Sequence, residues 1–578
     1  MSNADLARAF ERIADLLEIL GEDRFRTNSY RRVARSVEDL DVDVAILARE
    51  SRLGDIAGVG KGVAPKIEQF LATGRIDILD ELESKLPKGL PDLLAIPGVG
   101  PKKIAAMHKE LGVAGVEDLK RVIDNGALAE LSGFGPASVK KIAEGIAFLE
   151  SSGGRTPLGQ ALPVAETFAD LVASWPGVQR VAIAGSLRRA AETIGDIDIL
   201  CAADDGEATV KKFTSLNDVK RVLAGGATKG SITVDAGEGR EVQVDLRVVE
   251  SRSFGAALQY FTGSKAHNVR LRELAIRKGL RLNEYGLFDG EACVASENEE
   301  DIYAALGVPC PPPELREDRG ELSMVAPPSL VAVSDIRGDL HMHTVASDGR
   351  NTIEEMAAAA RDLGYEYIAI CDHSRSSTIA NGLSIERMTA HIETIRAAAR
   401  KTTGIAILAG CECDILPDGS LDYPDDILSE CDWVVASIHS AMTTAKGSGK
   451  ATPTERTLAA IENRYVSAIG HPTGRLINRR PAMDLDMPAI IEAAARTGTC
   501  LEVNASWQRL DMKDAHVRQA IAAGVTLVID TDAHSTQGLS EIRYGVLTAR
   551  RGGAVPENIL NARSLADLRK FVARKRGS

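Results

Sequence analysis

Long apolar runs are absent from this sequence. No stretch of about 18 consecutive apolar residues occurs, which is the length that a membrane-spanning helix requires. The first residues, MSNADLARAFERIADLL, are charged and helical in pattern, so we expect no signal peptide. The eight cysteines form no C-x-x-C pair, and we expect them to be reduced and mostly buried. These absences exclude a membrane span and predict a cytoplasmic protein.

Positive charge is also scarce. The chain has 69 Lys and Arg against 82 Asp and Glu, for a formal net charge of −13. Because a duplex-binding protein needs a basic surface, this total weighs weakly against nucleic acid as a partner. Carboxylates that hold metal ions add to the same total, so the charge alone does not decide. The length of 578 residues predicts about three to five domains.

A short pattern occurs three times after a helical region at residues 4–50. Its copies are LGDIAGVGKGVAPKIEQFL, LLAIPGVGPKKIAAMHKEL and LAELSGFGPASVKKIAEGI. Each predicts two helices joined by a Gly-x-Gly turn, with positive φ at the glycines and backbone N–H groups facing an anion. The glycines concerned are Gly58, Gly60, Gly98, Gly100, Gly133 and Gly135.

The composition and hydrophobic pattern of the sequence change twice after residue 150. The stretch SSGGRTPLG predicts a hinge, and the β-branched runs VQRVAIAG, DIDILCA and REVQVDLRVV then predict an α+β domain. Residues 307–334 contain GVPCPPPELRED and APPS and indicate a linker. From Ile336 onward seven strand-like runs alternate with helical ones, which predicts a barrel of parallel strands.

Three aspartates in the α+β region form a candidate metal site. Asp196 and Asp198 are two residues apart on a predicted strand and therefore project to one face. Asp245 belongs to another strand-like run. Three carboxylates can hold two divalent ions about 3.5–4 Å apart. A Gly-Ser turn followed by two arginines, GSLRR, precedes them and suits phosphate oxygens.

Histidines and carboxylates follow most of the predicted barrel strands. Because barrel active sites lie at the C-terminal ends of the strands, this placement predicts a metal centre, and imidazole with carboxylate suits Mn²⁺, Zn²⁺ or Fe²⁺. The predicted ligands are His341, His343, Asp348, His373, Glu412, His439, His471, Asp532 and His534. Candidate phosphate contacts beside this centre are Arg375, Arg475 and Lys446.

The segments GSLRR, GDIDIL, VQVDLR and YFTGSKAHN resemble the nucleotidyltransferase site of X-family DNA polymerases, although Ala190 stands where a glycine is common. The resemblance implies that the three aspartates bind two Mg²⁺ or Mn²⁺ ions. It implies a nucleotide site in which Gly185, Ser186 and Arg189 contact the triphosphate. Its remaining members are Tyr260, Phe261 and Gly263 at the sugar, and Asn268 and Arg272 at the nascent base pair.

The three repeats resemble helix-hairpin-helix motifs, which bind the DNA backbone. In some relatives a lysine of this region forms a Schiff base with 5′-deoxyribose phosphate, and Lys66 matches that position. An ordinary phosphate-contacting lysine is the alternative, because Gly62 occupies a neighbouring position where the family has a lysine. Contacts to phosphate are also expected from Arg26, Asn28, Tyr30 and Arg31.

The order of ligands in the barrel resembles the polymerase-and-histidinol-phosphatase (PHP) family. The resemblance implies three divalent ions. One would be held by His341, His343, Glu412 and Asp532, the second by Glu412, His439 and His471, and the third by Asp348, His373 and His534. Such ions would activate a water for attack on phosphorus.

These patterns together predict a multidomain protein that combines a helical helix-hairpin-helix region, an α+β nucleotidyltransferase palm and thumb, and a distorted (β/α)7 barrel. The predicted domains are 1–85 (DNA-end binding), 86–150 (helix-hairpin-helix), 151–235 (palm), 236–312 (rest of palm and nucleotide-binding subdomain), 313–334 (linker) and 335–578 (PHP).

The predicted function is DNA repair: filling of short gaps, with 3′-5′ exonuclease, 3′-phosphatase or abasic-site endonuclease activity in the PHP domain, in base excision repair. The expected partners of a monomeric protein are gapped or nicked DNA and deoxynucleoside triphosphates. One alternative is a PHP phosphatase of a small metabolite fused to a non-polymerising DNA-binding module. A second is a DNA-binding scaffold without catalysis.

Overall fold

The computed structural model describes residues 3–38, 40, 44–96, 99–152, 154–237, 240–443 and 451–577. The chain divides into two compact units. The first contains residues 1–154 with the short segments 237–240 and 478–480, and the second contains the remainder. Within the described ranges we find no helix long and apolar enough to cross a membrane. All eight cysteines are free thiols and six are buried, as expected.

The first unit is helical, as its sequence periodicity predicts. Its helices are α1 (Asn3–Ile19), α2 (Arg24–Glu38), α3 (Val44–Arg49), α4 (Ala64–Thr73), α5 (Asp77–Ser84), α6 (Pro101–Leu111), α7 (Val116–Asp124), α8 (Ala127–Glu130) and α9 (Pro136–Ser152). Apolar side chains from α1 to α9, among them Phe10, Ile67 and Ile104, form one continuous core. Tyr30 is part of it, stacked on Phe10 at 6.0 Å between ring centroids.

The hairpin glycines differ in their backbone conformation. Gly58 and Gly133 have φ of +86° and +88°, as predicted. The prediction of positive φ was wrong for the second glycines, Gly60, Gly100 and Gly135. Gly100 is extended, with φ −103° and ψ 172°, because it caps the N-terminus of α6 and must lead straight into that helix. The sixth glycine, Gly98, lies outside the described residues.

The palm and thumb regions of the second unit have the predicted α+β composition. Their elements are β1 (Thr156–Pro157), α10 (Leu158–Ala173), β2 (Val178–Ile183), α11 (Gly185–Arg188), β3 (Thr193–Ile194), β4 (Asp196–Ala203), α12 (Gly206–Thr214), β5 (Arg221–Gly225), β6 (Lys229–Asp235), β7 (Glu241–Val249), α13 (Phe254–Thr262), α14 (Lys265–Arg277), β8 (Arg281–Asn283), β9 (Gly286–Asp289), β10 (Ala292–Ala295) and α15 (Glu299–Ala305). The main sheet has the strand order β2-β4-β7-β6-β5. Its central pair, β4 and β7, is parallel, whereas the other pairs are antiparallel. This pairing brings two strands that carry aspartates side by side.

The segment expected to act as a linker is packed against the protein. Short 3-10 helices cover Pro313–Leu315, Glu321–Ser323 and Val333–Asp335. Arg316 and Glu321 are each 2% exposed. The first residues of this segment are therefore irregular backbone that is partly buried, whereas residues 323–327 are exposed.

The predicted barrel of parallel strands is confirmed. Its elements are β11 (Gly338–Met342), α16 (Ile353–Asp362), β12 (Tyr367–Ile370), α17 (Ile385–Lys401), β13 (Ala406–Asp414), α18 (Asp425–Glu430), β14 (Trp433–Ser437), α19 (Pro453–Glu462), β15 (Ala468–Ile469), α20 (Met487–Thr497), β16 (Cys500–Asn504), α21 (Asp514–Ala522), β17 (Leu527–Asp530), α22 (Ile542–Arg551) and α23 (Leu565–Gly577). In the described residues its sheet has seven strands in sequential order from β11 to β17. A parallel bridge between Met342 and Ala533 joins the last strand to the first.

The palm and the barrel share a hydrophobic core. Ile477, Leu510 and Tyr544 of the barrel pack in the same cluster as Leu158 of α10 and Ile197 of β4. The backbone of Gly159 lies so close to Trp507 that a Cβ at this glycine would be 2.3 Å from the tryptophan Cβ. The two regions are therefore joined by core packing.

Candidate metal centres in the palm and the barrel

The palm aspartates converge at one end of the β4–β7 pair. Asp198 and Asp245 are direct neighbours in the parallel register, and Asp196 lies two residues before Asp198 on the same face. One carboxylate oxygen from each of these three residues falls in a group whose members lie within 4.8 Å of one another. The arrangement that the sequence predicts is thus present, and its donors suit hard divalent cations.

The electrostatics of this group favour a bound cation. Burial, together with the nearby charges of Asp196 and Asp245, raises the pKa of Asp198 to about 7. Burial also acts to raise the pKa of Asp245, but hydrogen bonds from Lys229, Gln243 and Ser231 bring it below its ordinary value. The Lys229 Nζ lies 2.6 Å from the Asp245 carboxylate. Carboxylates crowded in this way repel one another unless a cation neutralises them.

The Gly-Ser turn lies directly against the aspartates. Gly185 has φ of +67°, and a Cβ there would lie 2.3 Å from Asp198 Oδ2. Ser186 follows in α11, and Ala190 has φ of +53°. The left-handed conformation explains why glycine is common at this last position in the X family. Arg189 pairs with Glu317 at 2.8 Å and donates to Thr262 O at 2.9 Å.

The other predicted nucleotide residues surround the end of α13. The rings of Tyr260 and Phe261 meet edge to face, with centroids 5.1 Å apart. Asn268 donates to the carbonyl oxygens of Tyr260 (2.7 Å) and Gly263 (3.1 Å), which fixes the α13–α14 turn. Arg272 is exposed on α14.

The predicted barrel ligands also come together, because each follows or ends a strand at the same rim. Glu412 on β13 is central: His471 Nε2 lies 2.9 Å from its Oε1, His439 Nε2 lies 3.2 Å from the same oxygen, and His373 Nδ1 lies 2.9 Å from its Oε2. The structure groups possible ligands as His343, Asp348, His373 and His534; as His341, His343 and Asp532; and as His373, Glu412 and His439. These groups overlap with the expected sets but are not identical to them. His343 and His373 each belong to two groups, Glu412 belongs to one, and His471 belongs to none.

Unsatisfied buried atoms show that the cluster fits metal ions. His341 Nε2 and His343 Nδ1 are buried and make no hydrogen bond, an arrangement that is costly unless another group binds them. Burial, with the neighbouring His534 and His373, lowers the pKa of His343 to about 4, which keeps its imidazole in the neutral form that binds metals. Two further predicted ligands, His471 and Asp532, have φ of +26° and +55°, and such strain is typical of functional sites.

A second layer of residues, which the sequence analysis missed, orients these ligands. Glu502 on β16 accepts from His341 Nδ1 at 2.7 Å and from the backbone N–H of His471. Asp414 on β13 accepts from His439 Nδ1 at 2.5 Å. Carboxylates that fix the tautomer of a ligating histidine are a regular feature of metal sites. The signal that could have found Glu502 is an acidic residue inside the apolar run CLEVN.

The cluster opens into a cavity of about 490 Å³, whose wall includes Arg509. Arg509 Nε lies 3.5 Å from Asp532, and its Nη1 is buried without a hydrogen bond. The arginines considered from the sequence have other partners: Arg375 pairs with Asp422 at 2.8 Å, and Arg475 pairs with Glu192 at 2.8 Å and donates to Arg509 O at 2.9 Å. Lys446 lies outside the described residues.

Comparisons with known proteins agree with the fold. Family models match at residues 1–76 (Helix-hairpin-helix domain), 90–147 (SAM-like Helix-hairpin-helix tandem), 257–317 (DNA polymerase beta thumb) and 339–506 (PHP domain). The fold and its sites define an X-family DNA polymerase joined to a PHP domain.

The full chain is similar to a bacterial protein of this class. The "DNA polymerase/3'-5' exonuclease PolX" of Bacillus subtilis is 38% identical over 577 residues, which cover 99% of this chain and 100% of the relative. A "Probable phosphatase" of Shewanella oneidensis is 33% identical over 204 residues, 34% of this chain and 75% of the relative. The chain therefore belongs to the PolX family.

Proposed function

We propose that this protein fills short gaps in DNA by template-directed addition of deoxynucleotides and processes DNA 3′ ends with its PHP domain, as a repair enzyme. The observation that carries the proposal is the presence of two clusters of possible metal ligands in one chain that is similar over its whole length to a DNA polymerase/3'-5' exonuclease. Its proposed partners are gapped or nicked DNA and deoxynucleoside triphosphates, which it binds as a monomer.

In the palm, Asp196, Asp198 and Asp245 hold two ions, Mg²⁺ or Mn²⁺. Bound there, the ions would activate the primer 3′-hydroxyl and neutralise the triphosphate. Gly185 and Ser186 would contact the triphosphate beside the ions, because Gly185 lies so close to Asp198 that a Cβ there would be 2.3 Å from its Oδ2. Arg189 supplies the positive charge that the phosphates need. Tyr260, Phe261 and Gly263 line the sugar, and Asn268 and Arg272 face the nascent base pair.

In the barrel, the nine predicted ligands hold three divalent ions, of Mn²⁺, Zn²⁺ or Fe²⁺. Bound there, the ions would supply an activated water and neutralise charge that develops on the phosphate. Arg509 is placed to bind a phosphate oxygen, because its buried Nη1 has no hydrogen bond and its side chain lines the same cavity.

The helix-hairpin-helix motifs would bind the DNA backbone without reading its sequence. The glycines of these sequence motifs, whose N–H groups would face the phosphates, are Gly58, Gly60, Gly98, Gly100, Gly133 and Gly135. Lys66 is a candidate nucleophile toward 5′-deoxyribose phosphate. Its side chain is half-buried on α4, and its Nζ donates to Gly62 O at 2.5 Å.

Separation of the two activities tests the proposal. On a gapped substrate with Mg²⁺ or Mn²⁺, Asp196→Ala should abolish primer extension and retain removal of 3′ nucleotides. His341→Ala should do the reverse. If the wild-type protein neither extends the primer nor trims a 3′ end, the proposal is wrong. If it hydrolyses free phosphomonoesters and leaves DNA ends intact, the PHP domain is a metabolite phosphatase.

A further inference from the structure

We propose that Arg551, on helix α22 of the barrel, is a positioning residue for nucleotide binding in the palm, which it controls through Glu317. The inference rests on the proposed function of the palm, in which Arg189 binds the triphosphate. It gives the PHP domain a part in polymerase chemistry that is separate from its own metal centre.

The contacts around Glu317 carry this inference. Its Oε1 lies 2.8 Å from Arg189 Nε and 2.7 Å from Arg551 Nη1, so a single carboxylate oxygen is shared by a palm arginine and a barrel arginine. Arg551 Nη1 also donates to the backbone carbonyl of Arg189 at 2.8 Å. The three side chains are between 13% and 15% exposed. Arg551 therefore contacts both the carboxylate partner and the backbone of the proposed triphosphate ligand.

Arg551 is itself held in place by a third element. Its Nε lies 3.1 Å from Asp514 Oδ2, on α21. The same carboxylate oxygen pairs with Arg319 at 2.8 Å. Arg551 thus has an anchor that does not depend on Arg189, and it stays beside Glu317 when the palm arginine moves.

A bound triphosphate would compete with Glu317 for Arg189. Burial acts to raise the pKa of Glu317, but Arg551 and Arg189 bring it below its ordinary value, so the carboxylate is charged. A charged carboxylate in a mostly buried setting is destabilised strongly if it loses its only partner. Because Arg551 remains paired with Glu317, Arg189 can exchange the carboxylate for the phosphates without leaving an unpaired charge behind.

Without Arg551, the same exchange becomes unfavourable. Glu317 would then depend on Arg189 alone, and each nucleotide would have to break the last ion pair of a buried carboxylate. The expected consequence is weaker nucleotide binding with an unchanged chemical step, because neither Glu317 nor Arg551 lies among the palm aspartates.

Steady-state gap filling by the full-length protein tests the inference. In Arg551→Met, the KM for the incoming deoxynucleotide should rise by about tenfold or more, with kcat within about twofold of wild type. Adding Glu317→Gln to this variant should return KM toward the wild-type value, because a neutral amide no longer holds Arg189 by charge. A merely structural role for Arg551 would not be rescued by a second substitution.

A matched control is available on the same helix. Arg543 of α22 pairs with Glu166 of α10 at 2.5 Å, so it also joins barrel to palm by an ion pair, but it does not contact Arg189. Arg543→Met should leave the KM unchanged. Hydrolysis of the diester bis(p-nitrophenyl) phosphate should be retained by both arginine variants and would report that the barrel is folded.

The inference is overturned if Arg551→Met leaves KM unchanged, if the double variant is no better than the single one, or if Arg543→Met raises KM equally. If Arg551→Met fails to fold, Glu317→Gln alone tests the inference. Loss of the carboxylate would free Arg189 from its ion pair and should lower the KM for the nucleotide. An unchanged KM would contradict the inference. Absence of gap filling by the wild-type protein would contradict the proposed function, and the inference with it.

Discussion

Gly185 shows how little freedom single positions have beside the palm aspartates. Its positive φ already favours glycine, and the carboxylate of Asp198 occupies the place where a Cβ would be. The backbone approaches Asp198, a predicted metal ligand, closely because the chain must pass from β2 into α11 at this point. A methyl group at Gly185 would collide with the Asp198 carboxylate and displace it from its position.

We therefore expect Gly185→Ala to reduce gap filling by about 100-fold, since a displacement of about 1 Å at a ligand is enough for such a loss. Hydrolysis of a DNA 3′ end by the barrel should be unaffected. Gly177→Ala is the control: its φ is +80° but its nearest neighbour would be 3.6 Å away, so it should lower stability by about 1 kcal/mol and retain extension. Equal losses of extension in the two variants would contradict the explanation.

Among single residues, the sequence predicted correctly which side chains come together when their positions follow from the strand in which they lie. The strand-end histidines and the Asp196–Asp198 pair are of this kind, because strand period and barrel geometry bring them together. Glu317, Arg509 and Arg551 were not predicted, because each owes its role to a partner distant in sequence. The second hairpin glycines were assigned the wrong φ, since a Gly-x-Gly motif does not say which glycine makes the turn.

Among the elements, strand β16 supports the barrel centre although it supplies none of the predicted ligands. Its Glu502 contacts the side chain of His341, on β11, and the backbone of His471, which follows β15. The Glu502 carboxylate thus orients two predicted ligands, one on β11 and one that follows β15. Such a residue is expected to govern how well metal ions bind rather than the reaction itself.

Glu502→Gln should weaken metal binding in the barrel by about 10–100-fold, because an amide cannot accept from both His341 and the His471 N–H. Titration of the metal-free protein with Mn²⁺ measures the affinity, and excess Mn²⁺ should restore part of the 3′-end hydrolysis. Glu366→Gln makes the same change before β12, where the side chain pairs with Arg337 on the surface, and should have no effect. Wild-type affinity in the Glu502 variant would show that His341 needs no carboxylate to orient it.

The element pattern of the barrel was predictable because each parallel strand is a short apolar run between amphipathic helices. The segment from 313 to 334 was harder to predict. Its prolines indicate irregular backbone, but they do not tell whether that backbone is exposed. Burial is found at Arg316, which forms an ion pair with Glu299 of α15, a residue that precedes the segment in sequence.

At the scale of the whole molecule, the palm and the barrel share a hydrophobic core although they are separate regions of the sequence. Ile477, Trp507, Leu510 and Tyr544 of the barrel cover apolar side chains of the palm. A separated barrel would expose them together, and an apolar patch of this kind destabilises a protein and promotes aggregation. Both candidate centres thus belong to one compact unit.

A fragment of residues 335–578 should consequently unfold at a temperature about 5–10 °C below that of the barrel within a fragment of residues 155–578, because it loses several kcal/mol of apolar burial. Hydrolysis of the model diester after heating reports the barrel specifically in both fragments. Trp507→Ala in the longer fragment should lower the midpoint in the same direction, since the indole packs on Gly159. Equal midpoints for the two fragments would show that the palm only adjoins the barrel, and the 3′-end activity would then be expected to survive in isolation.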